Sequence, residues 1–368
     1  MTRPPPGLWS RWSMRAGLVA LAVAIALAIA LLTAKGIGFD LGSYVLAARR
    51  FLAGSSMYPD PATYVPGPFD QYVYPPPVIL VFVPLAVIPF DAARLIWFLL
   101  LCAVAIALLV RLVRPLPLAA RWWAAAAYVL FFPLLWDIQL GNVTLITLYL
   151  CVLAWDARER WPLSGALAAA GIGVKLLTAD LLVFFALASR WRVLAALGVA
   201  GLAVVALTWP LVGNEWSTYL QIFQKRLAGE AAGEWNIIPS RFATGIPRLA
   251  LLAVPLLAAV YGGLCVRRAA AADLGFRLAI AAAPLASTTA WYPYTLLSLP
   301  LLLAAPPSGT WRVPSIVLRC AAWLMMMVQG VPEPERYTTL PFAGLVLLLG
   351  VGTVDALITE RQIQIRAA

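Results

Sequence analysis

The chain has 368 residues and no histidine, so proton transfer must fall to a carboxylate, a lysine or a tyrosine. Such groups are scarce and gather in a few places. Asp40 opens the stretch Asp40-Leu41-Gly42-Ser43-Tyr44, which runs on to Arg49-Arg50-Phe51. Tyr44, Ala47, Ala48 and Phe51 recur at helical spacing, which predicts a short amphipathic helix lying on a membrane. Asp40 then has two readings. As an N-cap, it accepts backbone N–H bonds and meets the positive end of the helix dipole. As a functional group, it is a carboxylate held at the membrane surface as a base.

Four further clusters carry similar pairs of readings. Tyr72-Val73-Tyr74-Pro75-Pro76-Pro77 is a rigid polyproline lead-in with interfacial tyrosines, or an aromatic wall for a sugar or lipid. Trp136-Asp137-Ile138-Gln139-Leu140-Gly141-Asn142-Val143-Thr144 is a tight Gly-Asn turn between helices, or a cluster of amide and hydroxyl groups facing a cavity. Lys175 and Asp180 lie near apolar helix ends, where each charge costs about 2.5–3.5 kcal/mol at mid-bilayer. Either they pair with one another, or Lys175 binds an anion such as phosphate. The stretch from Asn214 to Arg241 is rich in aromatic, amide and charged groups: a solvated lid with membrane anchors, or an acceptor-binding loop.

Metal chemistry finds little support. Cys102, Cys151, Cys265 and Cys320 are widely spaced with no CxxC pair, against a disulfide framework or a zinc site. No DxD pair is present to hold Mg²⁺ or Mn²⁺ against a nucleotide. We expect no metal and no cofactor.

The elements that must position these groups are apolar. Hydrophobic residues make up 63% of the chain, charged residues only 12%, and the mean hydropathy is +0.88. A soluble domain carries about twice that charge density. The composition predicts one polytopic membrane domain over 1–368. Basic Arg3, Arg11 and Arg15 precede an apolar run from Gly17 to Ala34, too long for a typical signal sequence and without a clean cleavage site; it is expected to be an uncleaved first span. Further apolar segments cover 77–90, 93–110, 122–136, 143–155, 161–174, 176–189, 193–212, 247–265, 278–289, 294–306, 313–331 and 338–358. Several are too short for the roughly 20 residues of a full span. Short, proline-broken segments predict half-helices lining a cavity.

The net charge of +11 fits the positive-inside rule better than a nucleic-acid partner. Placing 1–16, 111–121, 156–160, 190–192, 267–277, 312–319 and 359–368 inside collects seventeen of the twenty-seven basic residues there. The first large outer loop is then 35–76 and the second 213–246. This arrangement requires an odd number of crossings between 76 and 111, although two apolar segments lie there. Segment 77–90, with Pro84 and Pro89, is expected to be a re-entrant or interfacial hairpin; the alternative is that it crosses and one later segment does not.

Taken in order, these motifs resemble the GT-C membrane glycosyltransferases, and within them glycosyltransferase family 87, the bacterial polyprenyl-phosphate-mannose-dependent α-mannosyltransferases. The residues that carry the resemblance are Asp40-Leu41-x-x-Tyr44, Tyr58-Pro59-Asp60, Tyr74-Pro75-Pro76, Pro84-Leu85-Ala86, Ile88-Pro89-Phe90, the Gly141 turn, Lys175 ahead of Arg190-Trp191-Arg192, and Trp291-Tyr292-Pro293-Tyr294. It spans about residues 36 to 300.

The resemblance implies an all-α GT-C bundle of about 11–13 transmembrane segments with outer amphipathic helices. It implies a hexosyltransferase of the plasma membrane whose site lies on the extracytoplasmic face. A sugar, mannose in these relatives, would pass with inversion from a polyprenyl-phosphate donor to a hydroxyl of a lipid or glycan acceptor of the cell envelope. Asp40 is then the expected base. Lys175, Arg49 and Arg241, in that order, are the candidates for the donor phosphate. Tyr44, Tyr74, Asp137, Gln139, Asn142, Trp291 and Tyr294 complete the expected binding surface. The competing class is a lipid or glycolipid transporter, flippase or non-catalytic lipid-binding membrane protein. It would more often show an internal repeat and ionisable residues at the midplane; no clear repeat is visible, and the polar residues fall at one face.

Overall fold

Proline and glycine cut the apolar chain into helices of unequal length. The computed structural model describes residues 8–34, 37–64, 71–228, 245–268, 271–286, 291–327 and 334–367, and among these no β-strand forms. In chain order the helices are α1 (Leu8–Ala34), α2 (Phe39–Leu52), α3 (Ile79–Ala86), α4 (Phe90–Val113), α5 (Leu118–Val129), α6 (Phe132–Leu140), α7 (Thr144–Asp156), α8 (Trp161–Val174) and α9 (Leu181–Leu187). They continue as α10 (Trp191–Val212), α11 (Glu215–Ala228), α12 (Gly245–Arg267), α13 (Ala272–Ala282), α14 (Leu299–Leu302), α15 (Arg312–Met327) and α16 (Pro334–Ala367). The architecture is that of a polytopic, all-helical membrane protein, as the sequence predicts.

Among the described residues, four helices contain full-length candidate spans, over Trp12–Thr33, Phe90–Val113, Trp191–Val212 and Thr339–Arg366. A fifth is the pair α5 and α6, bent by 49°. The bend has a local cause: Pro133 sits in the first turn of α6, where it lacks the N–H needed to continue α5. The other apolar segments fold as helices shorter than a bilayer. α7, of 13 residues, is about 20 Å long against a hydrocarbon core of about 30 Å. α3 has only eight residues, about 12 Å, and is bounded by the Pro76–Val78 turn and Pro89. At that length it falls well short of a hydrocarbon core of about 30 Å. At the far end, α16 carries residues 359–367 as a continuation of the helix rather than as a separate tail.

Small residues set the closest crossings. α12 packs on α13 through Gly262 and Gly275, where a Cβ on Gly262 would lie 2.3 Å from the carbonyl oxygen of Gly275. Without a strong hydrophobic drive between helices in lipid, such backbone contact is what holds a bundle together. α15 and α16 cross over a buried ion pair. Asp355 takes hydrogen bonds from Trp311 Nε1 at 2.6 Å, from Ser315 Oγ at 2.8 Å and from the Arg319 guanidinium, which also donates to the carbonyls of Leu301 and Ala304.

The helix expected around Asp40 forms as α2, but it is more enclosed than a helix lying on a membrane. Leu41, Tyr44, Val45, Ala47 and Ala48 are buried, largely against α3, while Phe39, Leu46 and Leu52 stay exposed. α11 covers the first half of the stretch 213–246 expected as the second outer loop; residues 229–244, including Arg241, lie outside the described residues.

Candidate functional site

The site forms where the start of α2 meets the turn between α6 and α7. Gly38 and Gly141 both adopt left-handed dihedrals, with φ of 90° and 75°, which glycine reaches without steric penalty. Their Cα-to-Cβ approach is tight: a Cβ on Gly141 would lie 3.1 Å from Leu41 Cβ and 3.4 Å from Gly38 Cα. The Gly38 N–H donates to the Gln139 carbonyl at 2.8 Å, and Trp97 Nε1 donates to the Gly141 carbonyl at 2.8 Å. These contacts fix two loops that are a hundred residues apart in sequence.

Asp40 is thereby brought to Asn142, whose Nδ2 donates to Asp40 Oδ2 at 2.5 Å. This corrects the N-cap reading. The capping position is Gly38, which makes no side-chain cap, and Asp40 is the second residue of the helix. The other end of the Asn142 amide faces a cation. Asn142 Oδ1 accepts from Lys175 Nζ at 3.1 Å, from Thr144 Oγ1 at 2.8 Å and from the Thr144 N–H at 3.0 Å. Lys175 Nζ also donates to Thr144 Oγ1 at 2.6 Å. A carboxylate only accepts and an ammonium only donates, so the amide orientation follows from its partners.

Lys175 is only 7% exposed, an expensive place for a charge unless polar and aromatic groups surround it. It lies at the end of α8, where the backbone turns extended before the short turn at Leu176–Thr178. Besides its two oxygen partners, its ammonium sits 3.5 Å from the centre of the Tyr294 ring and 6.0 Å from that of Tyr74. Such cation–π contacts are worth about 2 kcal/mol or more when desolvated. Of the two alternatives for Lys175, pairing with Asp180 does not occur. Both Asp180 carboxylate oxygens are buried with no hydrogen-bond partner.

An aromatic wall flanks this cluster. The Tyr44 and Tyr74 hydroxyls are 2.9 Å apart, and the Tyr44 ring lies 4.7 Å from Phe82 and 6.5 Å from Tyr72. Tyr58 donates to the Tyr74 carbonyl at 2.6 Å. Burial raises the pKa of Tyr44, Tyr58, Tyr72 and Tyr74 above the ordinary phenol value, so these rings present neutral hydroxyls.

The remaining expected residues take other parts. Asp137 is fully buried, and its Oδ2 accepts the Leu145 N–H at 3.0 Å, so it caps α7 from the preceding helix. Gln139 contributes its carbonyl. Trp291 begins the short helical segment Tyr292–Ser298 and accepts the Tyr294 N–H at 2.8 Å, which positions Tyr294. Arg49 is not among the groups gathered around Lys175. It is nine residues beyond Asp40, about 13.5 Å along the helix, and donates to the carbonyls of Ala86 and Ile88. Thr144 and Tyr58 join the network without having been singled out as site residues. Thr144 had a visible signal, a hydroxyl at the first position of an apolar helix directly after a Gly-Asn turn. Among the described residues no three Cys, Asp or Glu side chains converge as a metal site would require.

Fold and site together define a multi-pass membrane protein in which one amide links a carboxylate and a lysine between short helices beside an aromatic wall. A family model for glycosyltransferase family 87 matches residues 72–291, more than half of the chain, and the chain belongs to that family. It is a membrane glycosyltransferase, with a sugar donor, an acceptor and membrane lipids as its partners. Tyr74, Asn142, Lys175 and Trp291 fall inside the matched stretch. Asp40 precedes it and is tied to it by the contacts above; Tyr294 follows it. No curated protein and no solved structure matches the chain.

Proposed function

We propose that this protein transfers a hexose, mannose on the resemblance described above, from a polyprenyl-phosphate donor to a hydroxyl of a lipid or glycan acceptor. The transfer takes place at the extracytoplasmic face of the plasma membrane and inverts the anomeric centre. The observation that supports the reading is the bridge Asp40–Asn142–Lys175, in which a half-buried acid and a buried cation are joined through one amide. A direct ion pair would spend each charge on the other. Held apart by an amide, each keeps its own task.

An alcohol is a weak nucleophile and needs a base within hydrogen-bond reach. Asp40 takes the acceptor O–H proton as that oxygen bonds to the anomeric carbon. The bond from that carbon to the phosphate oxygen breaks, and its electron pair stays on the phosphate. Phosphate is a good leaving group, so a fixed positive charge replaces a general acid. Lys175 supplies that charge. Two of its donors meet Asn142 and Thr144, and the third faces the Tyr294 ring. The rings of Tyr74 and Tyr294 offer flat apolar faces to a sugar. Single displacement from a site with one base inverts the centre.

The test is transfer by the purified protein from a panel of polyprenyl-phosphate sugars, with the anomeric configuration of the product read by NMR. The expected result is an inverted product from a lipid-phosphate hexose. Transfer from a nucleotide sugar alone would overturn the proposal.

A further inference from the structure

A glutamine beside α2 combines a cleft with a polar atom that has nothing to bind. Gln71 Oε1 is buried and makes no hydrogen bond among the described residues. An unmet acceptor of this kind costs about 1–3 kcal/mol. The side chain of Gln71 lines a cleft of about 20 Å³ that runs along α2. One water-sized group needs roughly 10–15 Å³. Leu46 and Arg50 are exposed and stand at the mouth of the cleft, while Ser43, Met57 and Tyr72 are buried and close it.

The polar groups of the cleft select one kind of ligand. Ser43 Oγ donates its proton to the Asp40 carbonyl at 2.8 Å, so toward the cleft it only accepts. Gln71 Oε1 also only accepts, and the Arg50 guanidinium only donates. A phosphate or carboxylate brings acceptors alone and would meet acceptors at the floor. An ammonium would meet Arg50. A hydroxyl both donates and accepts, and it has the size of the cleft.

The position of the cleft ties it to the base. Ser43 lies one turn beyond Asp40, and residues three apart on a helix are separated by about 5–6 Å. Hydroxyls are set around a pyranose ring on that scale. Tyr72 belongs to the aromatic wall, with its ring 5.7 Å from Tyr74 and 6.5 Å from Tyr44. An ordered water would also meet the need of Gln71, so the test turns on what the acceptor must carry.

We propose that this cleft is a specificity subsite for the acceptor. It takes one hydroxyl of a sugar ring, with Gln71 accepting its O–H and Arg50 donating to its oxygen, while a second hydroxyl of the same ring faces Asp40. The proposal rests on the reading of Asp40 as base given above. It narrows the acceptor to a glycan or glycolipid rather than a simple lipid alcohol.

The test measures transfer by the full-length protein in nanodiscs to n-octyl α-mannoside, to its monodeoxy analogues and to n-octanol, from the donor that the sugar panel identifies. Octyl mannoside should accept sugar, and octanol should do so at least about tenfold less efficiently. One analogue lacks the nucleophile and accepts nothing. A second should keep its kcat while its acceptor KM rises by about 10- to 100-fold, the loss of one hydrogen bond to a buried group. In Gln71→Met the KM of the parent acceptor should rise by the same factor, the second analogue should lose nothing further, and the donor KM should stay as in the wild type. Equal losses for every analogue in Gln71→Met mark a structural role and would overturn the proposal. So would octanol accepting as well as octyl mannoside, or no transfer to octyl mannoside. Should Gln71→Met not fold, the wild-type series still decides: if no analogue shows a raised KM, the subsite does not exist. The donor reading fails separately, since transfer from a nucleotide sugar alone would remove the lipid-phosphate donor and leave this KM pattern in place.

Discussion

The Arg319–Asp355 pair and the Asp40–Lys175 pair bring opposite charges together in different ways. Where α15 crosses α16, Arg319 and Asp355 touch directly; Trp311 and Ser315 fill the remaining acceptor positions, and two backbone carbonyls take the rest of the guanidinium. Beside α2, Asp40 and Lys175 are separated by the Asn142 amide, and the third donor of Lys175 rests on a ring face. The first pair offsets its own desolvation and holds a helix crossing in place. The second leaves charge available, because a ring face is a contact that an oxygen anion can replace. The lengths of the helices explain where each stands. Thr144 and Asp156 lie at opposite ends of α7, about 18 Å apart. The Lys175 cluster sits at the Thr144 end, and the cation-rich surface of Arg111 and Arg158 sits at the Asp156 end.

The largest effect should come from Asp40. Asp40→Asn keeps the size of the side chain and can still meet Asn142 after an amide flip, but it cannot take a proton. Turnover should fall by about 10²–10⁴-fold, with thermal unfolding of the purified protein unchanged. A variant that kept half of its turnover would make the Asp40 cluster as structural as the Arg319 pair, and the comparison would break.

The converse is expected at Arg319. Arg319→Met leaves Asp355 buried without its cation and should destabilise the protein by about 3–5 kcal/mol. Thermal unfolding in detergent measures this loss. The double change Arg319→Met with Asp355→Leu should recover most of it, since an apolar replacement of a buried pair is often neutral. Turnover per folded molecule should not change in either variant. A loss of turnover with intact folding would show that the closed pair, too, serves the chemistry.

Asn142→Asp tests the bridge itself. A carboxylate at 142 can pair directly with Lys175 and repel Asp40, which turns the open network into a closed one. Loss of a charge-assisted bond predicts a fall in turnover of about 10- to 100-fold, together with weaker donor binding. Wild-type turnover from this variant would show that the separation of the charges does not matter.

Much of this was legible in residue type and order, and the parts that were not share a physical reason. The α2 helix was visible in the spacing of Tyr44, Ala47, Ala48 and Phe51, and the short proline-bounded segment was visible in Pro84 and Pro89. Asp40 and Lys175 stood out because charges are rare in an apolar chain. What no local pattern could carry was pairing across a hundred residues. The contact of Gly38 with Gly141 decides that Asp40 reaches Asn142 rather than its own backbone, and it depends on two loops meeting. The alternative that pairs Asp180 with Lys175 fails for the same reason. Asp180 is near in sequence, but the chain turns extended at Lys175 and directs the ammonium toward α7 and Tyr294. Arg49 likewise sits in the right helix but one face and nine residues too far along.

The smallest expected effect belongs to Asp137, and it sharpens the comparison most. Asp137 is the other acid near Lys175, fully buried, and the reserve candidate for the base. Geometry separates the two. Asp137 Oδ2 is committed to the Leu145 N–H at the start of α7, a capping contact. Asparagine caps a helix about as well as aspartate, so Asp137→Asn should cost no more than about 1 kcal/mol in stability. It should also leave turnover within about threefold of wild type, a difference below 1 kcal/mol. Asp137→Leu, which offers no acceptor to that N–H, should destabilise the protein by about 0.5–2 kcal/mol. The same aspartate-to-asparagine change at two positions in one site thus gives opposite results: a large kinetic loss at 40 and almost none at 137. Measuring both variants side by side, for turnover and for thermal unfolding, decides which carboxylate holds the proton. If the pattern were reversed, the base would be Asp137, and Asp40 would serve only to orient Asn142 toward Lys175.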